Sequence, residues 1–229
     1  MNYHYDLHIH SVLSPCADDL MTPNNILNMA VLKGLDIIAV TDHNSLRQLP
    51  TIAKIAQSYA LLLVPGVELT TAEGIHVLCY FKTMLEAMTF ESQIENHRQT
   101  DKNAFGEARL TDMEDYVVST LQSVSSQPLT LSYEAIVTML ESYEHLLILA
   151  HLDRPFMKGI DYINSQEQGA IELTKPDQSF ITLHHLSHFK IMYNSDAHDL
   201  MAISERNTLN IIDLPELTIE AFFRYFKHG

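Results

Sequence analysis

The chain is poor in positive charge, has two cysteines and lacks tryptophan altogether. Its 14 lysines and arginines stand against 29 aspartates and glutamates, for a formal net charge of −15. A field of that sign repels polyanions, so a long nucleic-acid track is not expected. Divalent ions in a cleft would reverse the field locally and still admit a small anion. Two cysteines, Cys16 and Cys79, cannot build a disulfide framework and are read as free thiols. No apolar run reaches the roughly 20 residues that cross a bilayer, and no basic stretch precedes an apolar one at the start. A cytoplasmic protein without a membrane partner is expected. Internal repeats and low-complexity tracts are also missing.

What remains is a globular composition, 46% hydrophobic and 19% charged over 229 residues, which suits one sizeable α/β domain spanning 1–229. Short apolar runs at Tyr3–His8, Asp36–Thr41, Leu61–Leu69, Ile75–Phe81, Leu146–His151, Ala170–Thr174, Lys190–Ser195 and Thr208–Ile212 read as strands. They alternate with helix-like stretches, a pattern that implies a parallel sheet or barrel. Met21–Gly34 is a helix with Thr22 as N-cap, Pro23 in its first turn and Gly34 past its end. Ser45–Tyr59 and Ser132–Glu144 have similar character. The polar stretch 98–131, with Asp112, Glu114, Asp115 and the run Ser123–Pro128, reads as an insertion with some helix. It is either a lid whose removal would change substrate preference but spare metal content, or a structural excursion packed on the barrel.

The chemistry-bearing residues follow the strands. Residues 6–10 are Asp-Leu-His-Ile-His, and on an extended segment His8 and His10 share a face. Later strands close with Thr-Asp-His-Asn (41–44), Gly-Val-Glu-Leu (66–69), Ala-His-Leu-Asp-Arg-Pro (150–155) and Asn-Ser-Asp-Ala-His (194–198), and His76 lies in a further one. The carboxyl ends of strands are where barrels assemble active sites. Each histidine alone could be a packed core residue. Gathering His8, His10, His43, Glu68, His76, His151, Asp196 and His198 at one mouth without cations would cost several kcal/mol in repulsion and desolvation. Divalent ions remove that cost.

The ordered elements D-L-H-I-H-S, T-D-H-N, G-V-E-L, a histidine soon after, A-H-L-D-R-P and N-S-D-A-H resemble the PHP superfamily of metal-dependent phosphoesterases (polymerase and histidinol phosphatase domains), in its free-standing branch. The resemblance runs from about Tyr3 to His198. It implies a distorted seven-stranded β/α barrel with two or three metal ions at the carboxyl face. His8, His10, Glu68 and Asp196 would hold one ion, and Glu68 would bridge to a second held by His76 and His151. His43, His198 and a residue in the loop after the first motif would hold a third. That loop is longer than the family's usual spacing; Asp18 matches best, Asp19 is its rival and Cys16 a more distant one.

Imidazole and carboxylate donors suit zinc, manganese and iron alike, so the metal is left open. Two ions about 3.5–4 Å apart can share and activate a hydroxide and clamp phosphoryl oxygens during in-line attack. Glu68 is the natural bridging ligand. Arg154, three residues beyond His151, could hold a phosphate oxygen in a bidentate contact, or could serve only in a surface ion pair. Asp6 and Asp42 could orient metal-bound imidazoles, while Asp153 reads as a surface residue. His4, His97, His145, His184, His185, His188 and His228 match no motif; the 184–188 group reads as solvated helix residues rather than a further metal site.

The expected function is hydrolysis of a small phosphomonoester or phosphodiester through a metal-bridging hydroxide. One alternative is a nuclease or phosphatase acting on oligonucleotides or 3′,5′-bisphosphonucleotides, which the missing tryptophan and the acidic insertion disfavour. Another is a catalytically silent metal-binding regulatory module.

Overall fold

The structure is a computed structural model that describes residues 1–99, 106–122, 124, 127–155, 158–165 and 170–227. His228 and part of the Ser123–Pro128 run therefore lie outside the described residues. In chain order the elements are β1 (Asn2–Ile9), α1 (Pro23–Leu32), β2 (Ile37–Val40), α2 (Leu49–Ala56), β3 (Leu62–Leu63), β4 (Gly66–Thr70), β5 (His76–Phe81) and α3 (Met84–Ile94). Then come β6 (Arg109–Thr111), β7 (Val117–Thr120), α4 (Tyr133–Leu140), β8 (His145–Leu149), β9 (Ala170–Glu172), α5 (Gln178–Leu183), β10 (Lys190–Met192), β11 (Ile211–Asp213) and α6 (Ile219–Lys227). No helix among the described residues is long and apolar enough to cross a membrane. Cys16 and Cys79 are both unpaired.

The α/β class is as expected, but the ladders do not form a closed ring of seven strands. One sheet runs β11-β1-β2-β3 and a second runs β10-β9-β8-β5-β4, with β6-β7 a separate hairpin. The pairing is also mixed: β4–β5, β5–β8 and β1–β11 are antiparallel. The reason is local. Residues 71–75 between β4 and β5 form a tight turn closed by Thr71 N–H donating to the Ile75 carbonyl, leaving no room for a crossover helix. Two isolated parallel bridges, Ile9–Ala197 and His43–Glu68, link β1 and the residues after β2, in the middle of the first sheet, to the segment after β10 and to β4, at the two edges of the second.

Between the sheets, Tyr5, Leu7, Ile37, Ala39, Leu78, Tyr80, Ile148, Met192 and Phe222 pack into one buried core. A second cluster, with Ile9, Ile26, Leu27, Ile38 and Val40, lies under α1 and α2. The third and largest gathers Val67, Leu69, Val77, Cys79 and Phe81 against α3 and α4. Gly66 has no substitute here, since a Cβ would stand 2.8 Å from the Tyr80 ring and 3.0 Å from Thr41 Cγ2.

Helix α1 begins beside Thr22 as expected, yet the Thr22 hydroxyl makes no cap and donates instead to Asp115 Oδ2 at 2.7 Å. Helix α3 carries a capping box, with Thr83 Oγ1 accepting from Glu86 N and the Glu86 carboxylate accepting from Thr83 N. The 98–131 excursion contains the β6–β7 hairpin and no helix among its described residues. Arg109 N–H donates to the Val12 carbonyl, and the Gln48 side chain pairs with both backbone groups of Thr111. The hairpin is thereby seated against the loop that follows His10.

Candidate metal centre

A bulge in β1 sets the site. Asp6 pairs with Ile38 and Ile9 with Val40, so β1 spends one more residue than β2 over this span. Ahead of it, Tyr5 and Leu7 point into the central core; beyond it, Ile9 turns to the helix side with Ile38 and Val40. The extra residue reverses the alternation, and His8 and His10 become inward-facing at the mouth. The other site residues follow from strand ends. His43 comes just after β2, Glu68 lies mid-β4, His151 follows β8, and Asp196 and His198 follow β10. His76 opens β5 rather than closing it; antiparallel pairing with Thr70 of β4 brings it to the same mouth.

Glu68 is the centre of the cluster and is fully buried. Its Oε1 lies 2.8 Å from His76 Nδ1 and 3.1 Å from His151 Nε2. Its Oε2 lies 2.9 Å from His43 Nδ1, 3.3 Å from His10 Nε2 and 3.4 Å from His8 Nε2. One carboxylate thus faces two separate sets of imidazoles with its two oxygens. Asp196 adds Oδ1 at 3.2 Å from His8 Nε2 and 3.0 Å from His10 Nε2. Three groups have donor atoms all within 4.8 Å of one another: His8, His10, Glu68 and Asp196; His43, Glu68 and His76; and His10, His43 and His198.

Metal ions fit this donor set. His8 Nε2, His43 Nδ1 and Glu68 Oε2 are buried and close together, yet none is aligned in a hydrogen bond. Buried polar atoms are normally paired, and a cation among these three would pair them all. The buried charges shift one another's proton affinities. Burial works against a proton on His8, but Glu172, Glu68 and Asp196 hold its pKa well above the ordinary value. Burial likewise opposes His10, and Asp196 and Glu68 still raise it to about 9. His43 is lowered to about 4 by burial, with Glu68 opposing. Burial would raise Glu68 and Asp196, yet the neighbouring histidines, His8 foremost, hold both well below the carboxylate range. Bound cations would displace the protons.

The structure does not bring Asp18 into any of the three groups. Asp18 is exposed, its carboxylate accepts from Leu20 N at 2.8 Å, and only its backbone N–H reaches the site region, at the His198 carbonyl. The loop turns at 18–21 and carries the side chain outward. Asp19 is drawn into an ion pair with Arg109. Cys16 is exposed, and its thiol is pushed up to about 12, first by the protein packed around it and then by the charges of Glu68, Asp42 and Asp196. Arg154 Nη2 lies 2.6 Å from Asp196 Oδ2, with the side chain 43% exposed at the rim. Asp153 accepts from Thr174 N and Oγ1, tying the loop after β8 to the loop after β9.

Behind the imidazoles stands a layer of oriented acceptors. Asp42 accepts from Ser11 N, Ser11 Oγ and Ser14 Oγ at 2.6–2.7 Å, and Ser14 Oγ is 3.0 Å from His10 Nδ1. Asp42 therefore acts on His10 through a serine. Asp6 touches no imidazole; it accepts from Ser195 N and Ser204 N and fixes the segment leading into Asp196. The carboxylate that orients His8 is Glu172, with both oxygens 3.1 Å from Nδ1, and it also accepts from His151 N and Asn194 Nδ2. Glu172 was not among the sequence candidates. Its signal was there in Ala170-Ile-Glu-Leu, a carboxylate set inside an otherwise apolar strand. Asn44, His151 and Asp196 hold positive φ of 53°, 34° and 51°. Such backbone strain concentrates at functional sites.

A family model described as PHP domain matches residues 6–226. An uncharacterized protein of Methanocaldococcus jannaschii is 35% identical over 77 residues, 30% of this chain and 45% of that one. A 5′-3′ exoribonuclease of Haemophilus influenzae is 30% identical over 81 residues, 34% of this chain and 28% of its own. The matches thus span less than half of either relative. Among solved structures, the lesion-specific endonuclease Q of Pyrococcus furiosus superposes with a TM-score of 0.72 at 22% identity, covering 100% of this chain and 57% of its own. A candidate metal-dependent phosphoesterase of Bifidobacterium adolescentis gives 0.57 at 15% identity, covering 97% and 94%.

Proposed function

The chain belongs to the PHP domain family, and from that premise we propose that it is a metal-dependent hydrolase of phosphate esters, acting on a small phosphomonoester or phosphodiester. The observation that carries the reading is the Glu68 carboxylate, whose two oxygens face His76 and His151 on one side and His8, His10 and His43 on the other. We take residues 1–229 as one domain with 98–131 as an excursion. Its two bridged sheets are read as an opened form of the family's distorted barrel.

His8, His10, Glu68 and Asp196 would hold one divalent ion, His76 and His151 with Glu68 a second, and His43 with His198 a third. Zinc, manganese and iron all suit these donors. When bound, the ions supply Lewis acidity toward a phosphoryl oxygen and lower the pKa of water. The chain's own residues do the rest. Glu172 and Ser14 fix the rings of His8 and His10, so that their Nε2 atoms point inward. Arg154 has a guanidinium at the rim that can leave Asp196 for a phosphate oxygen, where its planar fork fits two acceptors at once.

A second reading, cleavage of an oligonucleotide from one end, is favoured by the exoribonuclease match. Endonuclease Q has been solved with a 27-mer duplex carrying an abasic lesion, so nucleic acid is handled by proteins of this fold. That tempers the expectation drawn from net charge alone. The −15 charge still favours short substrates, because few cations are left to track a backbone. Protein loaded with manganese or zinc is assayed against aryl phosphates, nucleoside monophosphates and 5′-phosphorylated oligonucleotides of two to ten nucleotides. Turnover of the monoesters supports the first reading and stepwise shortening the second. Bound metal with silence on all three leaves the regulatory module.

A further inference from the structure

The sequence reads the 98–131 excursion as either a lid or a structural excursion packed on the barrel. Its two ends meet at Asn44, the residue after His43. On the way out, Arg98 Nε donates to the Asn44 carbonyl at 2.7 Å. On the way back, the Gln127 carbonyl accepts from Asn44 Nδ2 at 3.0 Å, and Leu129 N–H donates to the Thr70 carbonyl. Asn44 needs such support. It sits in the left-handed region at φ 53°, between a backbone N–H donated to the Glu68 carbonyl and a side-chain oxygen that accepts from Thr70 N.

Arg98 is itself held. Its side chain is 2% exposed, and its Nη2 donates to Glu91 Oε2 at 2.5 Å. Glu91, on α3 and also buried, accepts in addition from Leu46 N at 2.9 Å and from Arg47 Nε at 3.1 Å. One buried carboxylate thus collects two guanidinium groups and a backbone amide, all bearing on residues 44–47. None of these atoms touches the metal cluster. The arrangement fixes the segment that follows His43, just as Ser11 and Ser14, donating to Asp42, fix the residue before it.

His43 belongs to two of the three possible ligand groups, so its placement matters more than that of a single-site ligand. We propose that Glu91 and Arg98 are positioning residues for His43, making the root of the 98–131 excursion a brace for the metal positions that use this histidine. The group made by His8, His10, Glu68 and Asp196 takes no ligand from residues 43–47, and meets the braced segment where Asn44 N–H donates to the Glu68 carbonyl. The inference rests on the metal-centre reading, and it concerns occupancy rather than turnover.

The test is Mn²⁺ binding, by titration calorimetry and by metal analysis after desalting, on Glu91→Gln and Arg98→Lys. Phe90→Leu is the control. Phe90 is the residue before Glu91 on the same helix, but it packs on Phe81 and Tyr143 away from the brace. Both brace variants should keep one tight ion and bind the remainder about 10- to 100-fold more weakly, the range seen when groups behind a ligand are lost. Phe90→Leu should lower the melting temperature and leave Mn²⁺ binding alone. Wild-type stoichiometry in the brace variants, with affinities within about twofold, overturns the inference, as does an equal loss in the control.

A second measurement needs no variant. Because coupling is reciprocal, Mn²⁺ should slow exchange of the Leu46 amide, donated to Glu91, by about tenfold or more in wild-type protein. Unchanged exchange in Mn²⁺-loaded protein overturns the brace. Wild-type protein that takes up no Mn²⁺ overturns the metal-centre reading instead.

Discussion

Glu172 places both carboxylate oxygens 3.1 Å from Nδ1 of His8, buried on the side of the ring opposite Glu68 and Asp196. The contact favours a proton on Nδ1, so that Nε2, facing Glu68 and Asp196, would be the nitrogen offered to a cation. Carboxylates behind metal-bound imidazoles raise ligand basicity in this way. Glu172→Gln keeps the shape, and its amide can still accept from the His151 amide or from Asn194. It should weaken the ion held by His8 by about 10- to 100-fold, read by competition with a metallochromic chelator. Unaltered affinity would mean that ring orientation is set by packing alone.

Ser14 is the analogous device for His10, one atom longer. Its hydroxyl donates to Asp42, lies 3.0 Å from His10 Nδ1 and accepts from His43 N, so one oxygen serves both histidines. Ser14→Ala should cost about 1 kcal/mol of stability, the net value of an ordinary hydrogen bond, measured by urea unfolding of metal-free protein. The same variant should lose more in Mn²⁺ affinity than the Ser11→Ala variant. Ser11 also donates to Asp42 but touches neither ring. Equal losses would count against the relay.

The donors themselves could be read from the chain because a strand's two-residue period and a ligand's chemistry are both local. His8, His10, His43, Glu68, His76, His151, Asp196 and His198 stand in short motifs, and the structure brings all eight to one mouth. What escaped was set by partners far away. The bulge that turns His8 inward exists only in the pairing of β1 with β2. Glu172 acquires its role from a histidine 164 positions earlier. Asp18 fitted the motif by counting, but the loop's own turn, closed by Asp18 Oδ1 on Leu20 N, sends it outward. Strand direction is illegible for a similar reason, since apolar runs do not record it and β5 is antiparallel to both neighbours. The start of helix α3, by contrast, is written locally in the Thr83 and Glu86 capping box.

Arg154 bonds Asp196 at 2.6 Å while leaving 43% of its side chain in solvent. An ion pair that exposed contributes at most about 1 kcal/mol, so Arg154→Ala should hardly move the unfolding midpoint. Its effect should appear on substrate. With metal content unchanged, kcat/KM toward a reactive phosphate ester is expected to fall by about tenfold or more, and Arg154→Lys should recover only part, since ammonium lacks the bidentate fork. A variant that instead loses metal in proportion to activity would assign Arg154 to Asp196 and not to phosphate.

Cys16 offers a reporter of charge at the mouth. Although exposed, its thiol is pushed up to about 12, by the packing around it and by Glu68, Asp42 and Asp196, whereas Cys79 is buried beneath the sheet. The thiolate is the reactive form, so metal-free protein at pH 8 should alkylate with iodoacetamide about a thousandfold more slowly than a free thiol of ordinary pKa. Cations bound among the carboxylates reverse the local field. Mn²⁺ should therefore speed modification of Cys16 at fixed pH and leave Cys79 untouched, with the labelled peptide identified by mass spectrometry. Acceleration that also occurs in Asp196→Ala, where the principal group loses a ligand, would trace the effect to free metal and remove Cys16 as a probe of the site.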